Sequence, residues 1–217
     1  MAVKRKPDIF FDELTHTYLV DGEEVPSVTE ILKPLHRSYK KVNQSVLDYA
    51  ANRGRAVHEA LEVYDLGGEL EVVPETEGFI RAYLEWSQIY RPKWIGVEQI
   101  VYNNRAGYIG TLDRIGYLNG TELAIVDIKT SQPTKEALVS VCLQTEAYAN
   151  AYSTEPDGSK EFFPSRYGLF LKSDGTYRVV DCREYGHKYD ISPWVFDNLL
   201  KTHKMITKLL ETKARGK

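Results

Sequence analysis

Cysteine is scarce in this chain. Cys142 and Cys182 are its two occurrences in 217 residues. They cannot furnish the four thiolates of an iron–sulfur cluster, and they lack the C-x-x-C spacing of a zinc site. Both lie in apolar or strand-like contexts, where a small buried side chain is expected. Long apolar runs are missing too, since no stretch approaches the roughly 20 residues of a membrane-spanning helix. The opening residues, Met1 to Pro7, lack the apolar core of a signal peptide, and so few cysteines do not suggest an oxidising compartment, so a cytoplasmic location is expected. No Walker A motif is present, so helicase activity would have to come from a partner. Nor does one charge dominate: the net charge of −3 argues against tight non-specific affinity for nucleic acid without a metal.

The distribution of charge softens that objection. Residues 199–217 carry Lys201, Lys204, Lys208, Lys213, Arg215 and Lys217 against Glu211 alone, a local charge of +5 that leaves −8 elsewhere. Such a tail could follow a phosphate backbone, and it is equally a solvated helix end with cations near its negative pole. Arg37, Lys40, Lys41, Arg53 and Arg55 form a second basic cluster.

Length and a hydrophobic content of 42 % suit one domain with one sizeable core. Residues 8–25 suggest a β-hairpin turning at Asp21-Gly22, and Ser27 with Glu30 fits a capping box opening a short helix that ends at Pro34. Helices are expected around His58, over about 75–90 and over 134–153. Strands are expected near 94–103, 107–117, 121–130, 166–172 and 176–183. Glu155 to Ser159 has the composition of an exposed loop, and a final helix starts at Ser192. Helix, three strands, helix, strand is an α/β order. It matches a restriction-endonuclease-like core, a central mixed β-sheet flanked by helices, preceded by the N-terminal β-hairpin. Residues 1–35 would form the hairpin and short helix, 43–183 the core and 190–217 the basic C-terminal helix.

The chemistry concentrates on Asp113 and, fourteen residues later, Asp127-Ile128-Lys129. In the run 121–130 alternate residues share a face, so Ile125, Asp127 and Lys129 project together while Ala124, Val126 and Ile128 face the other way. Asn119-Gly120 signals a tight hairpin turn, and folding it brings Asp113 beside Asp127. Paired carboxylates repel unless a cation lies between them, and oxygen ligation suits Mg²⁺ or Mn²⁺. A surface D-x-K pair is the bland alternative. The apolar run Leu123 to Val126 opposes it, because it suggests a central strand buried on both faces. Upstream, Leu47, Ala50, Gly54, Val57, Leu61 and Tyr64 recur at helical spacing, and His58 sits at the edge of that stripe. Gly54, one turn earlier, suggests close packing or access near His58.

These residues resemble a known family, the RecB-like branch of the PD-(D/E)XK nucleases, which includes phage exonucleases and the mitochondrial genome maintenance exonuclease. The matching positions are Gly54 to His58, Glu98, Gly110 to Asp113, Val126 to Lys129, and Gln144 with Tyr148. His16 to Tyr18, Asp21-Gly22 and Val25 to Leu32 also look like the segment before this core. The resemblance implies that His58, Asp113 and Asp127 ligate Mg²⁺ or Mn²⁺ with the backbone carbonyl of Ile128. Asp113, Asp127, Lys129 and Glu98 would be the catalytic set. Lys129 would orient the attacking water and offset charge on the phosphate. Glu98 could help bind a second metal, hold a ligating water or form an ion pair. Gln144 and Tyr148, one helical turn apart, would organise the site or touch DNA, as would Arg53 and Arg55; a core Tyr with a Gln at its rim is the plain alternative for the first pair. Unlike branch members with four cluster-binding cysteines, this chain implies no iron–sulfur cluster. The activity implied is a deoxyribonuclease acting from DNA ends, phage-encoded and working in the host cytoplasm in recombination, replication or DNA processing, with a possible recombination partner. Alternatives are a structure-specific endonuclease and a non-catalytic DNA-binding or assembly protein on the same fold.

Overall fold

The computed structural model describes residues 7–35, 43–153, 163–191 and 194–215, with side chains described as far as residue 210. Arg37, Lys40, Lys41, the 155–159 loop, Ser192 and the side chains of Glu211, Lys213, Arg215 and Lys217 lie outside the described residues.

Five strands form the central sheet, in the order β4 (Lys93–Asn103), β5 (Tyr108–Leu118), β6 (Glu122–Lys129), β7 (Ser165–Leu171), β8 (Tyr177–Asp181). All neighbours are antiparallel except β6 and β7, which run parallel. Parallel neighbours need a crossover, and α4 (Lys135–Ser153) supplies it. The sheet is therefore mixed, as the order of elements predicts.

Each face carries its own core. On one side Ile115, Ile125 and Leu112 pack with Leu143, Ala147 and Tyr148 of α4, backed by α1 (Val28–Leu32) and α6 (Trp194–Arg215). On the other, Ala124, Val126 and Ile128 pack with Val57 and Leu61 of α2 (Gln44–Asp65) and with Phe79, Ile80, Tyr83 and Trp86 of α3 (Glu77–Tyr90). The alternation expected along β6 thus holds. A central strand covered on both faces has no room for solvated side chains, which is why Ala124 to Ile128 are all fully buried.

Three expectations need correction. The N-terminal hairpin is a three-stranded antiparallel sheet of β1 (Ile9–Asp12), β2 (Thr17–Val20) and β3 (Glu23–Val25). Besides the turn at Asp21-Gly22, a second is closed by the Asp12 carboxylate, which accepts from the Leu14 and Thr15 amides; a local side-chain turn of that kind leaves no Asn-Gly signature. The strand expected to reach residue 183 stops at Asp181, whose carboxylate caps a short helix, α5 (Cys182–Lys188), by accepting from the Arg183 and Glu184 amides. The apolar stripe of α2 is buried at Val57 and Leu61, whereas Leu47 and Ala50 are half-buried and Tyr64 is 38 % exposed. The second half of that helix lies against the sheet, through Val57, Leu61 and Asp65.

Candidate metal centre

The β5–β6 hairpin turns through Asn119 (φ 48°) and Gly120 (φ 82°), the left-handed pair that matches strand twist. Its register runs from Leu118 opposite Glu122 to Arg114 opposite Val126. One step further would set Asp113 against Asp127, but the ladder ends there. Leu112 and Ile115 belong to the same core cluster although three residues apart, so the alternation of faces breaks between them. Beyond Arg114, β5 leaves β6, and the Asp113 carboxylate takes the place of a ladder carbonyl: Ile128 N–H donates to Asp113 Oδ2 at 2.6 Å. The Ile128 carbonyl, on the same strand edge, accepts from His58 Nε2 at 3.1 Å.

On the far side of β5, Glu98 falls between the pairs Val97 with Arg114 and Gln99 with Leu112, opposite Asp113. Its φ of 45° is left-handed, a conformation that costs an L-residue about 1–2 kcal/mol. Such strain persists where neighbours over-determine it. Here the Arg114 guanidinium donates to Glu98 Oε1 at 2.9 Å.

Three ligand-type side chains therefore converge: one ligand atom from each of His58, Glu98 and Asp113 lies within 4.8 Å of the others. A carbonyl can only accept, so Nε2 of His58 carries a hydrogen and Nδ1 is turned to the acids. Nδ1 stands 3.8 Å from Glu98 Oε1 and 3.9 Å from Asp113 Oδ2. Burial disfavours the imidazolium, yet the Asp113 and Glu98 carboxylates outweigh it and raise His58 above the ordinary histidine value. Carboxylate oxygens with one imidazole, its second nitrogen tied to a backbone carbonyl, form a donor set that fits a divalent cation.

Asp127 stands outside this trio. It is fully buried, with the Lys129 Nζ 2.7 Å from Oδ2. Lys129 pairs with Oδ2, and Oδ1 has no hydrogen-bond partner among the described residues. Burial lifts the carboxyl to about 6 against the opposing pull of Lys129. A buried acid with one oxygen left unpaired also fits a nearby cation. Lys129 in turn donates to Gln144 Oε1 at 3.1 Å, and Gln144 Nε2 donates to the Tyr148 hydroxyl at 3.0 Å. Burial opposes the Lys129 charge, but Asp127 and Asp113 raise its pKa above the ordinary lysine value.

An open groove leads away from the centre, lined by Ala50, Gly54, Arg55, Lys129 and Thr130 among others. Gly54 packs closely here: a Cβ would lie 3.3 Å from the Thr130 hydroxyl, a contact that a small shift of that side chain would relieve. Arg55 is exposed and bonds to Asn52. Arg53 turns away, its guanidinium 4.9 Å from the Phe79 ring and 5.8 Å from that of Tyr49.

Sequence reasoning overlooked Arg114 and Asp65. Arg114 is fully buried and donates from Nε to Asp65 Oδ2 at 2.6 Å, and the Tyr83 hydroxyl donates to the same oxygen at 2.7 Å. The available signal was a charge inside a strand otherwise apolar on that side, next to Asp113.

The PD-(D/E)XK nuclease superfamily model matches residues 71–184, slightly more than half of the chain. The matched span contains Glu98, Asp113, Asp127, Lys129, Gln144 and Tyr148, and begins after the helix that carries His58. No curated protein matches the chain. With a mixed sheet flanked by helices and a His/Glu/Asp trio at the break of its central hairpin, the chain belongs to the PD-(D/E)XK nuclease superfamily.

Proposed function

We propose that this protein is a divalent-metal-dependent deoxyribonuclease of the RecB-like, phage type, which hydrolyses phosphodiester bonds from DNA ends during recombination, replication or DNA processing. The convergence of His58, Glu98 and Asp113 beside the Lys129–Asp127 pair carries the reading. Its end-directed mode is supported by the resemblance of the Gly54 to His58 and Val126 to Lys129 segments to exonucleases.

His58 through Nδ1, Glu98 and Asp113 would hold Mg²⁺ or Mn²⁺, with Asp127 and the second lone pair of the Ile128 carbonyl as the further ligands that the resemblance implies. The bound cation would acidify a water and draw charge from the scissile phosphate. Lys129 acts as an ammonium, since its raised pKa keeps it charged at neutral pH. It can therefore donate to the attacking water and offset phosphate charge, but it cannot remove a proton. Gln144 fixes the direction of that ammonium, and Tyr148 fixes Gln144. Arg55 and the groove floor at Gly54 would guide the DNA strand, with Arg53 supporting the helix through its aromatic contacts.

The test uses end-labelled linear and closed circular DNA, single- and double-stranded, with Mg²⁺, Mn²⁺ or EDTA. Shortening confined to open ends in metal supports the proposal; nicked circles would replace it with an endonuclease, and binding without products with a scaffold. Asp127→Asn abolishes cleavage, and Lys129→Ala lowers the rate by roughly a hundredfold or more. Near-normal rates in either variant would remove these residues from the mechanism.

A further inference from the structure

One side chain joins the three elements that carry the trio, and the mechanism above does not use it. Arg114 of β5 is fully buried. Its Nε donates to Asp65 Oδ2, while Nη1 donates to Glu98 Oε1 at 2.9 Å and to the Asp113 backbone carbonyl at 2.7 Å. Asp65 ends α2, seven residues after His58, so the two share one face of that helix. The guanidinium thus touches the helix of His58, the strand of Glu98 and the strand of Asp113.

We infer that Arg114 is a positioning residue, which clamps Glu98 into the cation-binding arrangement with its fork braced on Asp65. The inference rests on the trio being a divalent-cation site. Three features support it. Glu98 has a strained backbone and is 28 % exposed at its side chain, so without a partner it would relax toward solvent. The Asp65 carboxylate cancels the charge of the guanidinium, so the pair adds geometry without a net positive field beside the cation. Finally, Nη2 of Arg114 is buried without an acceptor among the described residues, a cost that an apolar replacement would avoid if stability were all the residue provided. A lysine keeps the charge but not the planar fork that reaches Asp65 and Glu98 together.

The test is Mn²⁺ binding to the full chain, followed by electron paramagnetic resonance of the free ion, with folding checked by circular dichroism. Arg114→Lys is expected to weaken Mn²⁺ binding roughly tenfold to a hundredfold, the range for residues that orient metal ligands. In a Glu98→Ala background the same replacement costs less than about threefold, because the side chain it holds has already been removed. Should Arg114→Lys fail to fold, Asp65→Ala, which removes the acceptor of Arg114 Nε and leaves Glu98 its partner, weakens binding in the same direction. Unchanged affinity in whichever variant folds, or an equal loss in both backgrounds, overturns the role of Arg114 alone. Failure of the unaltered protein to bind Mn²⁺, or an Asp113→Asn variant that binds as well, removes the cation site itself and the inference with it.

Discussion

Asp127 and His58 both hold a proton more tightly in the folded protein than ordinary groups do, the first because it is buried, the second because two carboxylates outweigh its burial. Both pKa values are raised on folding, so the stability they contribute is complete below the unfolded values and is lost as pH rises through the folded ones. For Asp127 the window runs from 3.8 to about 6. A shift of that size corresponds to a loss on the order of 3 kcal/mol across the window. Urea unfolding in EDTA at pH 4 and pH 7 checks this: the fall with pH should be smaller in Asp127→Asn than in the unaltered protein. Equal slopes would mean that Asp127 titrates normally. At this scale the sequence was informative about identity and silent about engagement. Asp113, Asp127 and His58 stand out by type and spacing, whereas the capture of the Ile128 amide by Asp113, and of its carbonyl by His58, depends on where one hairpin ladder ends.

Helix α4 and strand β5 meet through a glycine. A Cβ on Gly110 would come 2.7 Å from the Tyr148 ring and 3.3 Å from Val28. Tyr148 is fully enclosed and holds Gln144, which holds Lys129, so crowding at Gly110 is transmitted to the ammonium. Gly110→Ala should therefore destabilise the protein by about 1–3 kcal/mol, as overpacking does, and lower cleavage further than that loss explains. Denaturant midpoints and rates measured well below the midpoint separate the two effects; a full rate with reduced stability would uncouple Tyr148 from the site. Elements with a strong period or turn signal were legible: β6 from its apolar run, the hairpin from Asn119-Gly120, α3 from Phe79, Ile80, Tyr83 and Trp86. The turn after β1 and the helix α5 were not, because each is set by one aspartate bonding to nearby amides, a pattern that resembles any polar turn.

For the molecule as a whole, the sheet splits where β5 parts from β6, and a core packs on each of its faces. A helix and two strands of the following hairpin, α2, β4 and β5, deliver one ligand each to the opening, so a bound cation would link them and stabilise the fold. At about a hundredfold excess over its dissociation constant, Mn²⁺ should add roughly 2.7 kcal/mol. At 2–4 °C per kcal/mol for a chain of this size, Tm would rise by roughly 5–10 °C. The increment grows between pH 5 and pH 8, because the cation must displace the His58 proton and favours ionised carboxylates. Thermal melts with Mn²⁺ and with EDTA at both pH values test this; an increment independent of pH would place the ion elsewhere. Among the described residues no helix is long and apolar enough to cross a membrane.

The sequence by itself determined which residues carry chemistry and which faces of β6 they occupy, because strand alternation and hairpin turns are local rules that a single segment obeys. The tertiary structure decided which acids come together. Glu98 rather than Asp127 joins His58 and Asp113, and the Arg114 brace links them, because a broken ladder, a left-handed residue and a buried ion pair arise only when α2, β4 and β5 pack against one another.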